Sequence, residues 1–573
     1  MRLVLVPLIN LWILLWWVLL LPVRLLGRSH RPEYVRYRLS GDLPWRRRHF
    51  PRRLWFFRQR LHPGAVASIE VLRRQLEELA RDPKLRGVIF EVDGLELVPA
   101  KRQALVQMFS TLRQAGKEVL GYGVSVSNGE YELLCAADRI LLPAAGRVDL
   151  TGFAAELTAL GSGLDRLGVK AHFIRRGDHK TAPELFTHAE PSPIQRETIE
   201  RLLDERYARL VAALVRGRRL SEEEARARID GGPYGAKRAL AQGLIDGLCS
   251  EPDLPHLLAP KDRVPKEKDG RPEAVVATFS AWRASQIWRK PDWRPWRMAR
   301  PVGVVPLNGI IAEGRGGNLP AGPVVAGSAS VIEALNAARK DPRVPAVVLY
   351  VSSPGGSAPA SEMILEAVRH LSEKKPVVAY FDRVAASGGY MAVCGAKEIW
   401  AGDGAVAGSI GVFGGKFEVS GLLRHLGIHR SLVTRGQNAG LLSPTRGFTD
   451  TERAALEAEI DETYQSFLEI VAKARGRTVE EIHARGEGRI FSAEHALAEG
   501  LVDRVGGFED ACRRALELAG RPAKAPIEVA LFGTRPPRLG LLGLVSQLAR
   551  TQIYALCDPW FSASWLGRGS DGV

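Results

Sequence analysis

The chain has 573 residues, 46% apolar and 25% charged, an ordinary globular composition that excludes a mainly disordered protein. Its length leaves room for three or four units at roughly 150 residues each. The five cysteines (Cys135, Cys249, Cys394, Cys512, Cys557) form no CxxC pair, which argues against a disulfide framework or a zinc module. The formal charge of +16 is uneven. Residues 24–60 hold twelve Arg and two acids, residues 261–300 hold eleven Lys/Arg and five acids, and the remainder has no net charge. A nucleic-acid enzyme carries its positive charge on the folded domain that grips phosphate, so this distribution argues against a nucleic-acid partner.

In chain order, the apolar run LVLVPLINLWILLWWVLLLPV at residues 3–23 is long enough to span a hydrocarbon core of about 30 Å. Trp12, Trp16 and Trp17, with no small-residue cleavage site following, favour an uncleaved anchor over a long signal peptide. The Arg excess after it favours a cytoplasmic body by the positive-inside rule. Residues 1–26 are therefore read as an anchor and 27–62 as an Arg-rich juxtamembrane segment facing lipid. A second basic segment at 251–300 interleaves Trp282, Trp288, Trp293 and Trp296 with Arg and Lys. It reads either as a membrane-interface element or as a linker whose Trp residues dock on the domains.

The main feature between and beyond these segments is an internal repeat. RDPKLRGVIFEVDG from Arg81 matches KDPRVPAVVLYVSS from Lys340, and one gap-free offset of 259 residues runs through Tyr131/Tyr390, Gly152/Gly411 and Gly177/Gly436. ALAQGLID (239–246) then matches ALAEGLVD (496–503). Two copies follow, at 63–250 and 301–520, with a C-terminal tail at 521–573 that has no counterpart in copy one. In each copy apolar strands (GVIFEV, AVVLYV, PVVAYF) alternate with helices (ASEMILEAVRHLSEK), which predicts an α/β fold with a mostly parallel sheet.

The repeat also exposes the chemistry. Copy two has SSPGGSA where copy one has DGLELVP, so only copy two keeps glycines that free backbone N–H groups at a helix start. Copy two has Ser387 in AASGGY where copy one has Asn128. Fifty-two residues further on the pattern inverts: copy one has Lys180, in GDHKTAPE, and copy two has Ala439. Each copy keeps what the other lacks. This predicts one composite site at the interface of the copies, with Ser387 as nucleophile and Lys180 as general base. Burial there can lower a lysine pKa from about 10.4 toward 7–8.

With SSPGGS, AASGGY, GSIGV and GDHKTAPE, the chain resembles the signal peptide peptidase A family (peptidase family S49) in its long two-domain form, over about residues 63–520 and the anchor. The resemblance implies a tandem duplication of a ClpP/crotonase-like domain, a spiral of βαβ units. It implies a membrane-anchored serine endopeptidase with a Ser/Lys dyad, acting on remnant signal peptides and other small hydrophobic polypeptides. It also implies backbone N–H groups of Gly356 and Gly388 as the oxyanion hole, with Gly355 as the alternative to Gly356. Ser409 falls where a hydroxyl could orient the lysine. The family implies a homotetramer and a bacterial inner-membrane location with an extracytoplasmic body, against the Arg bias. No cofactor or metal is expected, and no P-loop, HExxH or dinucleotide fingerprint is evident. The competing readings are a silent membrane scaffold of the same fold and an acyl-CoA enzyme of the crotonase type.

Overall fold

A computed structural model of the chain describes residues 32–45, 68–260, 272–286, 300–318, 324–522, 527–533 and 553–556, with scattered helical positions between 7 and 19. The expected anchor lies largely outside these residues; among the described residues no helix is long and apolar enough to cross a membrane.

Copy one builds a six-stranded, all-parallel sheet in the order Val276–Thr278, Tyr34–Gly41, Gly87–Leu95, Glu118–Gly123, Arg139–Leu142, Gly247–Leu248. Runs such as Val88-Ile89-Phe90 are fully buried because helices cover the sheet. Two of these strands lie outside the expected 63–250 boundaries. Tyr34–Gly41 comes from the segment read as juxtamembrane, and Val276–Thr278 from the segment read as a linker. Alternation explains the first: Val35, Tyr37 and Leu39 are buried, while Arg36 and Arg38 reach Glu91 and Asp93 across the strand pair at 2.6 Å each. Part of the basic excess is thus neutralised by folding. Of the linker tryptophans, Trp282 docks: it is 4% exposed and its indole N–H donates to Asp82. Trp288, Trp293 and Trp296 lie outside the described residues.

Copy two repeats the design in the order Ile490–Ser492, Val406–Gly408, Val377–Ala386, Val347–Ser353, Val302–Asn308, Val529–Leu531. Here too the boundary widens, since Val529–Leu531 comes from the expected tail. The ten-residue strand Val377–Ala386 forks: its first half pairs with Glu398–Ala401 and its last residues with Val406–Gly408. Fine detail is repeated as well. Tyr131 donates to the Leu244 carbonyl (2.7 Å) as Tyr390 does to Leu501 (2.6 Å), and Arg218–Asp246 recurs as Arg475–Asp503.

Among the described residues the copies are joined at several places, two of which shape the site. Trp45 packs on Phe508 and Tyr380 and donates to the buried Asp382, so one apolar core draws on both halves. A third, mixed sheet runs Gly316–Asn318, Val324–Gly327, Ile310–Ala312, Gly355–Ser357, Ile553–Leu556, Val412–Glu418, Lys170–Arg176. Its last strand belongs to copy one and the preceding ones to copy two and the tail.

Candidate active site

The strand Val377–Ala386 passes into the helix Gly388–Val393 through a single residue, Ser387. So abrupt a turn needs positive φ, and Ser387 sits at φ 54°, ψ −121°, a strained conformation costing about 1–3 kcal/mol. It is held by an N–H bond to the Gly408 carbonyl (2.8 Å) and by its own carbonyl accepting from the Met391 N–H (2.9 Å). The small residues after it are required by packing: a Cβ on Gly389 would lie 2.8 Å from the Ser353 carbonyl. Burial pushes the nearby Cys394 thiol up to about 12, which leaves it an inert packing group.

Lys180 arrives from the other copy. The strand Lys170–Arg176 pairs antiparallel with Val412–Glu418 over seven positions, from Arg176↔Val412 to Lys170↔Glu418. Gly177, at φ 96°, then turns the chain inward, the Lys180 N–H closes on the Gly177 carbonyl (3.0 Å), and the His179 N–H bonds Glu487 (2.8 Å). The result is a lysine only 1% exposed. Its Nζ lies 2.6 Å from Ser387 Oγ, 2.9 Å from the Ser409 carbonyl and 3.0 Å from Ser409 Oγ. Three oxygens thus surround a group with three tetrahedral directions to satisfy. Beside it, burial and the Arg489 charge hold the His179 imidazole below its ordinary range, so that it stays neutral.

Ser387, Lys180 and Ser409 are therefore brought together, with Ser387 and Ser409 both buried. Gly388 opens its helix, so its N–H has no partner within the helix. The two remaining glycines are separated by their surroundings. The Gly355 N–H donates to Ser353 Oγ (3.1 Å). Gly356 is pressed against the neighbouring strand, where a Cβ would come within 2.0 Å of the Ile311 carbonyl.

The equivalent place in copy one is closed. Asn128 bonds the Gly152 carbonyl (2.6 Å) and accepts from the Thr151 N–H (3.1 Å). Gly152 corresponds to Gly411, whose carbonyl lies 3.4 Å from Ser387 Oγ. Ala439 keeps the turn of its counterpart Lys180, with its N–H on Gly436 and Gly436 at φ 95°, yet it is exposed. Geometry persists where chemistry is gone.

Sequence reasoning passed over Ser353, Gly411 and Gly488. Gly411 is retained in both copies, which was a usable signal. Gly488 makes room for the lysine turn, since a Cβ there would lie 2.4 Å from Lys180 N. Nothing local marks it.

A buried serine at a strained strand-to-helix turn, with an amine in contact and backbone N–H groups beside it, defines a serine hydrolase on a duplicated α/β scaffold. The model of peptidase family S49 matches twice, at residues 111–262 and 369–521. The chain is 33% identical to "Protease 4" of Salmonella typhi over 80% of its own length and 73% of that protein. It is 28% identical to "Protease 4" of Haemophilus influenzae (80% and 74%), and 25% identical to "Serine protease SPPA, chloroplastic" of Arabidopsis thaliana (85% and 70%). The chain belongs to peptidase family S49, in the long two-domain signal peptide peptidase A form, and is a serine protease.

Proposed function

We propose that the protein is an endopeptidase that cleaves small, extended hydrophobic polypeptides, remnant signal peptides among them, through a Ser387/Lys180 dyad. The observation that carries this is the 2.6 Å contact between Lys180 Nζ and Ser387 Oγ, made across the two copies. In the acylation step neutral Lys180 takes the Ser387 proton as Oγ attacks the peptide carbonyl. The Gly388 and Gly356 N–H groups stabilise the resulting oxyanion. The lysine then gives its proton to the leaving amine, and a water activated the same way hydrolyses the acyl-enzyme. Ser409 holds the amine in place. Gly356 is preferred to Gly355 because Ser353 engages the Gly355 N–H. The parallel sheets and the forked strand fit a spiral of βαβ units of the ClpP/crotonase type.

Residues 3–23 anchor the enzyme in the bacterial inner membrane, with the body on the extracytoplasmic side. Proteolysis of intact spheroplasts tests this: digestion of the body from outside supports it, and protection places the body in the cytoplasm.

The functional unit is a head-to-tail ring of four chains. The counterparts of the inter-copy strand pair, residues 153–159 and 429–435, lie outside any strand. Exposure alternates residue by residue over 153–159, and 429–435 is exposed throughout, as strands awaiting a neighbour would be.

Ser387→Ala and Lys180→Ala in the purified protein decide the function. Hydrolysis of an extended apolar peptide should fall by about 10³-fold or more in each, with the double variant no worse than either single one. If both variants keep wild-type rates, the Ser387/Lys180 dyad is not the catalytic pair and the reading fails. Covalent labelling of Ser387 by a fluorophosphonate separates the protease from a thioester-processing enzyme.

A further inference from the structure

The turn that delivers Lys180 is closed at its base by a charged pair. Arg175 lies in the strand Lys170–Arg176, Glu184 opens the short helix Glu184–Thr187, and Lys180 falls between them. One guanidinium nitrogen, Arg175 Nη1, donates both to Glu184 Oε1 (2.6 Å) and to the backbone carbonyl of Lys180 itself (3.2 Å). The Glu184 side chain is 2% exposed, and its second oxygen has no hydrogen-bond partner among the described residues. A carboxylate so buried is stable only when paired, and Arg175 is the ion partner it has.

The repeat separates what this turn needs in order to fold from what it needs for its amine. The backbone is the same in both copies. The Lys180 N–H bonds the Gly177 carbonyl (3.0 Å) as Ala439 bonds Gly436 (3.3 Å), and the Glu184 N–H bonds Thr181 (2.9 Å) as Ser443 bonds Gly440 (2.9 Å). At that register copy two keeps Arg176 and Gly177 as Arg435 and Gly436. It has Thr434 in place of Arg175 and Ser443 in place of Glu184, together with Ala439 in place of Lys180. The turn therefore forms without the pair, and the pair is missing from the copy in which the amine is missing.

We infer that Arg175 and Glu184 are a positioning pair that holds Lys180 in register with Ser387 Oγ, an inference that rests on the dyad reading. Neither residue touches the reacting atoms. A lysine amine sits on a flexible four-carbon stem. The bond from Arg175 to the Lys180 carbonyl fixes the peptide unit from which that stem departs, and Glu184 fixes Arg175. Misplacing a reacting group by about 1 Å can cost on the order of 10²-fold in rate. Because the pair is neutral as a whole, it adds no net charge beside an amine that must give up its proton.

The test gives copy one the residues that copy two has at this turn, Arg175→Thr/Glu184→Ser, in the full-length protein. Hydrolysis of an extended apolar peptide should lose at least about tenfold in kcat with KM and melting temperature near wild type. Arg175→Lys, whose single ammonium can donate to the same two oxygens, should recover part of the rate. On a Lys180→Ala background the double substitution should cost nothing further, because the residue it acts through is gone. Wild-type kcat in Arg175→Thr/Glu184→Ser overturns the inference. So does an equal proportional loss on the Lys180→Ala background, which would make the pair a support of the fold rather than of the lysine. Should the double variant not fold, Glu184→Gln, isosteric but uncharged, carries the test: a lower kcat at unchanged KM supports the pair, and wild-type kcat overturns it. Wild-type hydrolysis by Lys180→Ala alone would instead remove the dyad reading, so the two failures are distinct.

Discussion

Among the described residues only four non-glycine residues hold positive φ, and three of them, Ser387 (54°), Ser409 (53°) and Glu487 (45°), surround Lys180. Strain of this kind persists only where neighbouring bonds over-determine it. Here Ser387 is tied to Gly408, Ser409 donates its N–H to Arg489 (2.6 Å), and Glu487 accepts from His179. The strain aims two hydroxyls and a carbonyl at one amine. Removing the Ser409 hydroxyl takes away one of three oxygens around Nζ while its carbonyl remains. Ser409→Ala should therefore lower kcat by about 10–100-fold with KM little changed, the loss of one hydrogen bond to a charged or reacting group. Steady-state kinetics on a fixed peptide checks it, and Ser409→Thr, which restores a hydroxyl, should recover part of the rate. The pH profile should rise toward alkaline pH, because only the unprotonated amine can take the serine proton. Lys180→Arg, which cannot deprotonate, should be inactive at every pH. The Ser387 and Lys180 pairing was legible from residues alone because each had been lost from the opposite copy. The proposed preference for Gly356 over Gly355 was not, because it rests on the Gly355 N–H being engaged by Ser353 Oγ.

At the scale of elements, the long helix Asp450–Arg475 starts with a capping box in which Thr449 and Glu452 satisfy each other's backbone N–H groups. Glu452 also takes both arms of Arg446, and that hydrogen-bonded pairing holds its carboxyl down at about 2. A depressed folded-state value means stability that is present above the ordinary carboxylate range near 4.5 and lost as pH falls through about 2. Glu452→Gln should lower the melting temperature at neutral pH and flatten the loss of stability between pH 4.5 and 2. Thermal denaturation across that range measures both. The strands and helices of the repeat could be read because apolar runs and helical periods are local. The strand Tyr34–Gly41 was hidden by its arginines, which read as lipid-facing charge. Their partners, Glu91 and Asp93, lie 55 residues away and become neighbours only when the sheet forms.

For the molecule as a whole, the pairing of Lys170–Arg176 with Val412–Glu418 satisfies one of two equivalent junctions and leaves the other, residues 153–159 and 429–435, outside any strand; in the proposed ring a neighbouring chain would pair it. Val433 is 80% exposed and Leu432 43%, both within that junction. A charge there meets no buried partner in the single chain but would be desolvated in a ring. Val433→Asp should reduce the mass measured by light scattering from about four chains toward one, while the melting temperature stays near wild type. A wild-type mass that is already that of one chain would exclude the ring.

The duplication, the α/β class, and the division of serine and lysine between two copies follow from the sequence by itself. Each is written in local patterns or in comparison of the chain with itself. Tertiary structure alone decided how far the copies extend and how a lysine and a serine 207 residues apart come within 2.6 Å. The physical reason is the same in each case. Strand pairing is made by backbone groups that every residue carries, so KAHFIRR and VFGGKFE hold no mark of their partnership until the chain brings them side by side.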